Sequence, residues 1–482
     1  MTTEIKITSQ IKEKSNLAIL ASGVDVLQEG HLTREEIDYI SKQHTDHKID
    51  RFSFNRFSHQ LFVYILKQEK EIHKSLEACR KFGDHLQQEL NRQKLEEVTL
   101  TGFGTDTARL LAMAEGAGLA NYQFIKYFKD KEDKQNSLKT LLIHGSDIRK
   151  EDAERLNVLL EAVCHARNMV NEPVMYMNAE KLSETITQMA ADAGIKAEVF
   201  NKKKIESLKM GGLLAVNKGS IDPPTFTILE YKPGNAANEK PLILVGKGVV
   251  YDTGGLNLKT GSYMENMKQD MAGAAVMAST IYAIARSKLP LYVIALIPAT
   301  DNRLNGNAYA SGDVIRMYNG MTVEVINTDA EGRMILADAL SYAKKYEPQL
   351  VIDAATLTGS AQRAIGKYGL AAMHAGAAEA MEKLKCAGDA VYERVVEFPF
   401  WDEYGELMKS DIADLKNTGP AEAGMITAGK FLEKFTDYPF IHLDIAGVAF
   451  NEKRDSYRNQ GGTGFGVRLL YAFAERYLTE RS

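Results

Sequence analysis

Cysteine is scarce in this chain: its 482 residues hold three, Cys79, Cys164 and Cys386, far apart and in no metal or redox spacing. That excludes a disulfide framework and a Cys/His zinc module, and the thiols are expected to be reduced. Histidine is missing from the long stretch between His165 and His374. Any metal held there must use oxygen or amine donors. Positive charge is not in excess either, with 59 Lys and Arg against 64 Asp and Glu and a formal net charge of -5. A nucleic-acid surface is therefore not the main business of the chain, and nucleic acid is not an expected partner. No apolar run approaches the ~18 residues of a membrane span. The opening residues Met1–Lys6 lack the apolar core of a signal peptide. The expectation is a cytoplasmic protein with no membrane partner. Tandem repeats and low-complexity segments are absent as well.

What is present is the composition of an ordinary globular protein, 45% apolar and 26% charged. The length calls for two or more domains. Residues 1–148 read as a small α/β domain. Its predicted strands are Leu17–Leu20, Leu61–Leu66, Val98–Leu100 and Leu141–Ile143; its predicted helices span residues 70–94 and 107–128. His44 and His47 fall in what reads as a polar loop, with no partner pattern for a metal. A helix over Lys150–Val170, within a 149–172 bridge, leads to a larger α/β domain over 173–482. There the strands are Leu242–Val245, Tyr292–Leu296, Val323–Ile326, Leu350–Ile352 and Phe440–Leu443. Predicted helices at Gly273–Ala285, Met334–Lys345 and Gly466–Tyr477 alternate with them. Near-continuous apolar strands between helices imply a mixed, mostly parallel central sheet. The fold class expected is α/β.

The run Asn327-Thr328-Asp329-Ala330-Glu331-Gly332-Arg333 stands where a predicted strand ends and a helix begins. In open α/β sheets that edge is where ligands bind. Asp329 and Glu331 are two apart, so an extended segment points both the same way. Upstream, Lys247, Asp252, Lys259 and Asp270 fall in one Gly-punctuated region from Val245 to Ala275. Four carboxylates in one pocket repel one another, and some must take up protons. Two divalent ions remove that conflict, and such a pair can activate a bridging water and polarise a carbonyl. A lysine can join the shell only as a neutral amine, a state that two dications enforce.

With these residues assembled, the chain resembles the leucyl aminopeptidase family of two-metal exopeptidases, whose signature is the Asn-Thr-Asp-Ala-Glu-Gly-Arg run. Gly246-Lys247-Gly248, Asp252-Thr253-Gly254-Gly255, Leu258-Lys259 and Met267-Lys268-Gln269-Asp270-Met271 match it at compatible spacing. So do Asp353–Gly359, His442–Gly447 and Gly462–Gly464, and the likeness covers residues 165–475. The resemblance implies that Lys247, Asp252, Asp270 and Glu331 hold one metal. Asp252, Asp329 and Glu331 then hold the other, with help from the Asp329 carbonyl. The ions implied are Mn or Zn, with Co or Mg as alternatives. Lys259 would steady the oxyanion, and Arg333 would hold a bicarbonate ion that takes a proton from the water. Met267, Thr356, Gly359, Ala446 and Ala449 would line the pocket for the first side chain, while Leu357 and Gly359 would give backbone hydrogen bonds. Peptides with a free N-terminus, leucine or methionine first, are the implied substrates, and a homohexamer the implied assembly. Tyr251, Thr253, Thr260 and Ala272 depart from the common family residues without touching a proposed ligand.

Each fragment has a plainer reading. Asn327–Arg333 alone could be an Asx turn and helix cap, and lone lysines are usually solvated. His442, in an apolar strand, reads as a hydrogen-bonded core histidine. The seven site residues together, inside their framing motifs, argue for a site. Two rivals to the aminopeptidase stay open: a narrow Cys-Gly-type dipeptidase on the same framework, and a regulatory or DNA-binding protein that has kept the fold.

Overall fold

Strands β1 (Glu4–Thr8), β2 (Leu17–Ala21), β3 (Arg51–Asn55), β4 (Gln60–Ile65), β5 (Glu97–Phe103) and β6 (Thr140–His144) form one sheet in the order β1-β6-β5-β2-β4-β3. All neighbours are parallel except β3, which turns back on β4. Every residue of β2, Leu-Ala-Ile-Leu-Ala, is buried, the pattern of a strand covered on both faces. Helices α1 (Arg34–His47), α2 (Ile72–Arg92) and α3 (Thr107–Ala120) accompany the sheet. The computed structural model describes residues 3–145 and 147–479.

Two expectations differ from the structure in this unit. His44 and His47 are not in a loop; they lie in the last turn of α1, and His44 Nδ1 is 2.7 Å from the Ile49 carbonyl. Thr33 and Glu36 open that helix with a reciprocal capping box, a local signal that the loop reading overlooks. Helix α3 ends at Ala120 rather than near Phe128. The next residue, Asn121, spends its amide on the Leu138 carbonyl and Thr3 Oγ1, each at 2.8 Å, and accepts a bond from Gln87. A side chain tied outside the helix competes with its continuation.

By contacts the chain divides into Met1–Cys164 with Lys453–Gln460, and His165–Glu452 with Gly461–Ser482. The late segment joins the first unit through side chains. Tyr457 donates to Glu77 at 2.8 Å, and Asn459 Nδ2 donates to the Ala120 carbonyl at 3.1 Å. Helix α4 (Lys150–Asn171) carries the chain across the division at Cys164.

The second unit is built on β7 (Lys196–Phe200), β8 (Thr225–Tyr231), β9 (Leu242–Gly246), β10 (Gly248–Asp252), β11 (Val293–Asn302), β14 (Leu350–Ala355), β15 (Leu370–Ala375), β16 (Val395–Glu397) and β18 (Phe440–Asp444). They are ordered β16-β15-β18-β14-β9-β11-β8-β7, with β10 beside β11. The middle strands β18, β14, β9 and β11 run parallel, and so does β10. Strands β15 and β8 reverse direction on either side. Ile243, Val245, Ile294 and Leu296 alternate onto one face and meet Met334, Ile335 and Leu336 of the helix Glu331–Ala343. The helix Ala272–Arg286 packs against β9, β11 and β14. The sheet is mixed and mostly parallel, so the carboxyl ends of its central strands gather at one edge.

The expected strand Val323–Ile326 is not part of this sheet. Only β13 (Thr322–Glu324) forms there, in a separate small sheet between β12 (Val314–Arg316) and β17 (Leu415–Lys416). Burial alternates along it and Ile326 is exposed. A four-residue run with three β-branched apolar residues and one Glu has the propensity for a strand but cannot say which sheet will take it.

Candidate active site

The parallel strands deliver the site. Lys247 follows β9, Asp252 ends β10, Asn302 ends β11, Thr356 and Leu357 follow β14, and Asp444 ends β18. Asp270 lies in the 3₁₀ turn Met267–Met271 that leads into the helix Ala272–Arg286. Glu331 and Arg333 open the helix Glu331–Ala343, an acid in the first turn where the helix dipole favours it. Asp329 precedes them in a turn closed by its N–H to Asn327 Oδ1 at 2.8 Å. The Asx turn of the plainer reading is therefore real, and it builds the site. Asp329 and Glu331 converge through this turn and the helix start, not through extended alternation.

Lys247 Nζ is 2.8 Å from Asp270 Oδ1, 2.9 Å from Glu331 Oε1 and 2.8 Å from the Thr356 carbonyl. Lys259 Nζ is 2.8 Å from Asp252 Oδ2 and 2.6 Å from Asp329 Oδ1. Carboxylate oxygens of Asp252, Asp329 and Glu331 all lie within 4.8 Å of one another. Two glycine features make this possible. Gly254 and Gly255 take φ of 85° and 63° to turn the chain directly after Asp252. A Cβ on Gly332 would lie 2.5 Å from Lys247 Cε, so only glycine leaves room for that lysine.

Electrostatically the cluster is overloaded with negative charge. Burial lifts the Asp270 carboxyl well above its usual value, and Glu331 and Asp252 add to this against Lys247. Burial, with Asp252 and Glu331, raises Asp329 to about 7 in spite of Lys259. Burial alone would lower the pKa of both lysines. The carboxylates outweigh it, and the pKa values of Lys247 and Lys259 are raised. Asp270 Oδ2 and Glu331 Oε2 are buried with no hydrogen-bond partner among the described residues. Buried acceptors without partners are costly, and oxygen atoms of this kind beside one amine are a donor set for a divalent cation. The residues present fit such ions.

Arg333 is also buried. Its Nη1 donates to the Asn417 carbonyl at 2.7 Å, while Nε has no partner among the described residues. Burial lowers its pKa to about 10, still far above neutrality.

Two of the expected pocket residues, Leu357 and Ala446, are drawn together by a residue to which sequence reasoning gave no role. Asp444 accepts from Leu357 N at 3.2 Å, Thr358 Oγ1 at 2.7 Å and Ala446 N at 3.2 Å. The Leu357 N–H is thus already engaged, and any bond from Leu357 to a ligand must use its carbonyl. Gly359 opens the helix Gly359–Ile365 and is exposed; Met267 and Ala446 are half-buried, whereas Ala449 is buried. Thr356 Oγ1 donates to Asp270 Oδ1 at 2.8 Å. Asn302 was also missed: its Nδ2 donates to Asp252 Oδ1 at 2.8 Å and to the Thr328 carbonyl at 3.0 Å. Asp444 lies inside a recognised motif, so a signal for it existed. Asn302 and Asn417 had none.

Comparison with known proteins decides the family. The model of the cytosol aminopeptidase family catalytic domain matches residues 164–471. The chain belongs to the cytosol aminopeptidase family. A probable cytosol aminopeptidase of Chlorobaculum tepidum is 50% identical over 347 residues, 70% of this chain and 68% of that protein. Another, of Chloroherpeton thalassium, is 43% identical over 428 residues, 82% of each. A mutant of tomato leucine aminopeptidase superposes with a TM-score of 0.86 at 25% identity, over 99% of this chain and 96% of that one. A bottromycin maturation enzyme solved with Mn gives 0.84 at 26% identity, over 96% and 99%. This aminopeptidase is a metal-dependent exopeptidase with the leucine aminopeptidase fold. No described helix is long and apolar enough to cross a membrane.

Proposed function

We propose that the protein removes neutral, bulky N-terminal residues such as leucine or methionine from peptides, with two divalent ions held by five side chains. Lys247, Asp252, Asp270 and Glu331 would hold one ion; Asp252, Asp329 and Glu331, with the Asp329 carbonyl, would hold the other. The observation that carries this is the cluster of four carboxylates and one amine, buried but for the half-buried Asp329, in which Asp270 Oδ2 and Glu331 Oε2 have no hydrogen-bond partner among the described residues. Mn²⁺ or Zn²⁺ suits these donors, and a neighbour in the same fold was solved with Mn. When bound, the ions supply a water acidified at neutral pH and a polarised scissile carbonyl, and a bicarbonate supplies a nearby proton acceptor.

The chain's own residues set the stage. Lys259 keeps its ammonium beside Asp252 and Asp329, where it can donate to an oxyanion as charge develops. Arg333 presents a buried guanidinium whose Nε has no partner among the described residues, suited to a small planar anion such as bicarbonate. Met267, Thr356, Gly359 and Ala446 would line the pocket for the first side chain, and Leu357 would offer its carbonyl. A cytoplasmic homohexamer acting on peptides with a free N-terminus completes this reading, supported by family resemblance alone.

The test is hydrolysis of a leucyl chromogenic amide by metal-stripped protein with Mn²⁺ or Zn²⁺ restored, beside an N-acetylated control. Metal-restored cleavage that acetylation blocks is the expected result. No cleavage with two ions bound per chain would overturn it.

A further inference from the structure

Asn417 follows β17, some distance downstream of the signature, and is fully buried. Its Oδ1 accepts from Ile326 N at 2.8 Å and Asn327 N at 3.2 Å, and its Nδ2 donates to the Asn327 carbonyl at 2.7 Å. These are the backbone groups that β13, ending at Glu324, leaves without a ladder partner. The residue's own N–H donates to the Glu324 carbonyl at 2.9 Å. Its own carbonyl takes Arg333 Nη1 at 2.7 Å. One side chain therefore grips the entry to the signature while the same residue's backbone grips Arg333.

We propose that Asn417 is a positioning residue that holds Arg333 in place relative to Asp329. The inference rests on the role given to Arg333 under the proposed function. Its physical basis is leverage. Strand β17 is two residues long, and beyond its pairing with β13 and the Lys416 N–H to the Met408 carbonyl at 2.7 Å little else among the described residues fixes where the Asn417 carbonyl sits. Remove the amide and, of the residue's own bonds among the described residues apart from the one to Arg333, the backbone N–H to Glu324 remains to locate it. Arg333 would then lose its anchor although the anchoring atom is still present. The part-buried N–H groups of Ile326 and Asn327 would lose this acceptor at the same time.

The experiment is a double-mutant cycle with Asn417→Ala and Arg333→Ala, alone and together, reading kcat and KM on a leucyl chromogenic amide. Metal bound per chain and Tm are measured on each variant. Expected is a fall in kcat of about tenfold or more for Asn417→Ala, with metal content unchanged. The same substitution made on top of Arg333→Ala should change kcat by less than about twofold, because groups that act as a unit are non-additive. Multiplicative effects would overturn the inference, since a merely structural residue lowers Tm without coupling to Arg333. Loss of metal from Asn417→Ala would overturn it too, moving the residue's role to the metal-binding loop. Full turnover of Arg333→Ala would instead remove the role of Arg333 and the inference together. If Asn417→Ala does not fold, Asn417→Asp, which keeps the acceptor for Ile326 and Asn327, replaces it in the cycle, and the same outcomes support or overturn the inference.

Discussion

Thr328 and Asn257 clasp each other from the two halves of the site. Thr328 N donates to Asn257 Oδ1 at 2.8 Å, and Asn257 N donates to Thr328 Oγ1 at 2.8 Å. The Thr328 hydroxyl donates its own proton to the Gly254 carbonyl at 2.5 Å. These bonds tie the turn after Asp252 to the turn before Asp329. Two carboxylates far apart in sequence thereby sit within 4.8 Å of each other at their oxygens. The cations proposed to bind between them would then need little reorganisation of the protein.

Asp329→Ala and Glu331→Ala should each lose metal and nearly all activity. Elemental analysis of the purified variants checks this directly. Metal content equal to that of the parent would sink the ligand assignment.

Lys259→Ala should keep its metal and lose turnover by ~10²-fold or more, the scale of removing one donor to a developing oxyanion. Because Lys259 also neutralises Asp252 and Asp329, its metal content has to be measured alongside kcat. Unchanged kcat would exclude the lysine from the chemistry.

Arg333→Ala should be slower than the parent and regain part of its rate with added bicarbonate. Truncation opens space where the guanidinium was, and a free anion can then supply the proton acceptor that the side chain had held. A variant at full activity and indifferent to bicarbonate would refute the role.

Asp338 offers a pH test away from the metal cluster. It is buried in the helix Glu331–Ala343, accepts from Leu213 N at 3.0 Å and Tyr318 N at 2.9 Å, and is pushed up by burial to about 7, well above the usual carboxylate range. A carboxyl with a raised folded pKa binds its proton more tightly in the folded state. Its stabilising contribution is therefore full below the unfolded pKa and is lost as pH climbs through the folded one, by about 1.4 kcal/mol for each pH unit that separates the two values. Asp338→Asn removes that titration. The stability deficit of the variant, from urea midpoints, should shrink between about pH 5 and pH 8. A deficit that does not change with pH would mean the carboxyl ionises normally.

His442 and Asp353 are cross-strand neighbours on β18 and β14, fully buried, with Nδ1 and Oδ1 2.5 Å apart. The core histidine expected from the sequence does have a hydrogen-bonding partner. His442→Ala should cost about 3–5 kcal/mol, because it strands a buried carboxyl. Adding Asp353→Ala should recover part of the loss. A double variant less stable than the single by the full cost of a second core substitution would show the pair to be uncoupled.

The sequence by itself determined the elements whose signal is local. Apolar runs such as Leu242–Val245 and helical spacing such as Met334–Lys345 reflect burial, and burial sets which faces turn inward. It also determined the chemistry on offer: the carboxylates, the two lysines and Arg333 are recognisable from residue type and framing motifs alone. Tertiary structure decided what depends on partners distant in the chain. It placed Thr322–Glu324 in a small separate sheet and put Lys453–Gln460 with the first unit. It also recruited Asn302 and Asn417 to the site. A single asparagine has no periodicity, and its amide can serve any backbone within reach. Which backbone that is becomes known only when strands far apart in sequence end at the same edge of the sheet.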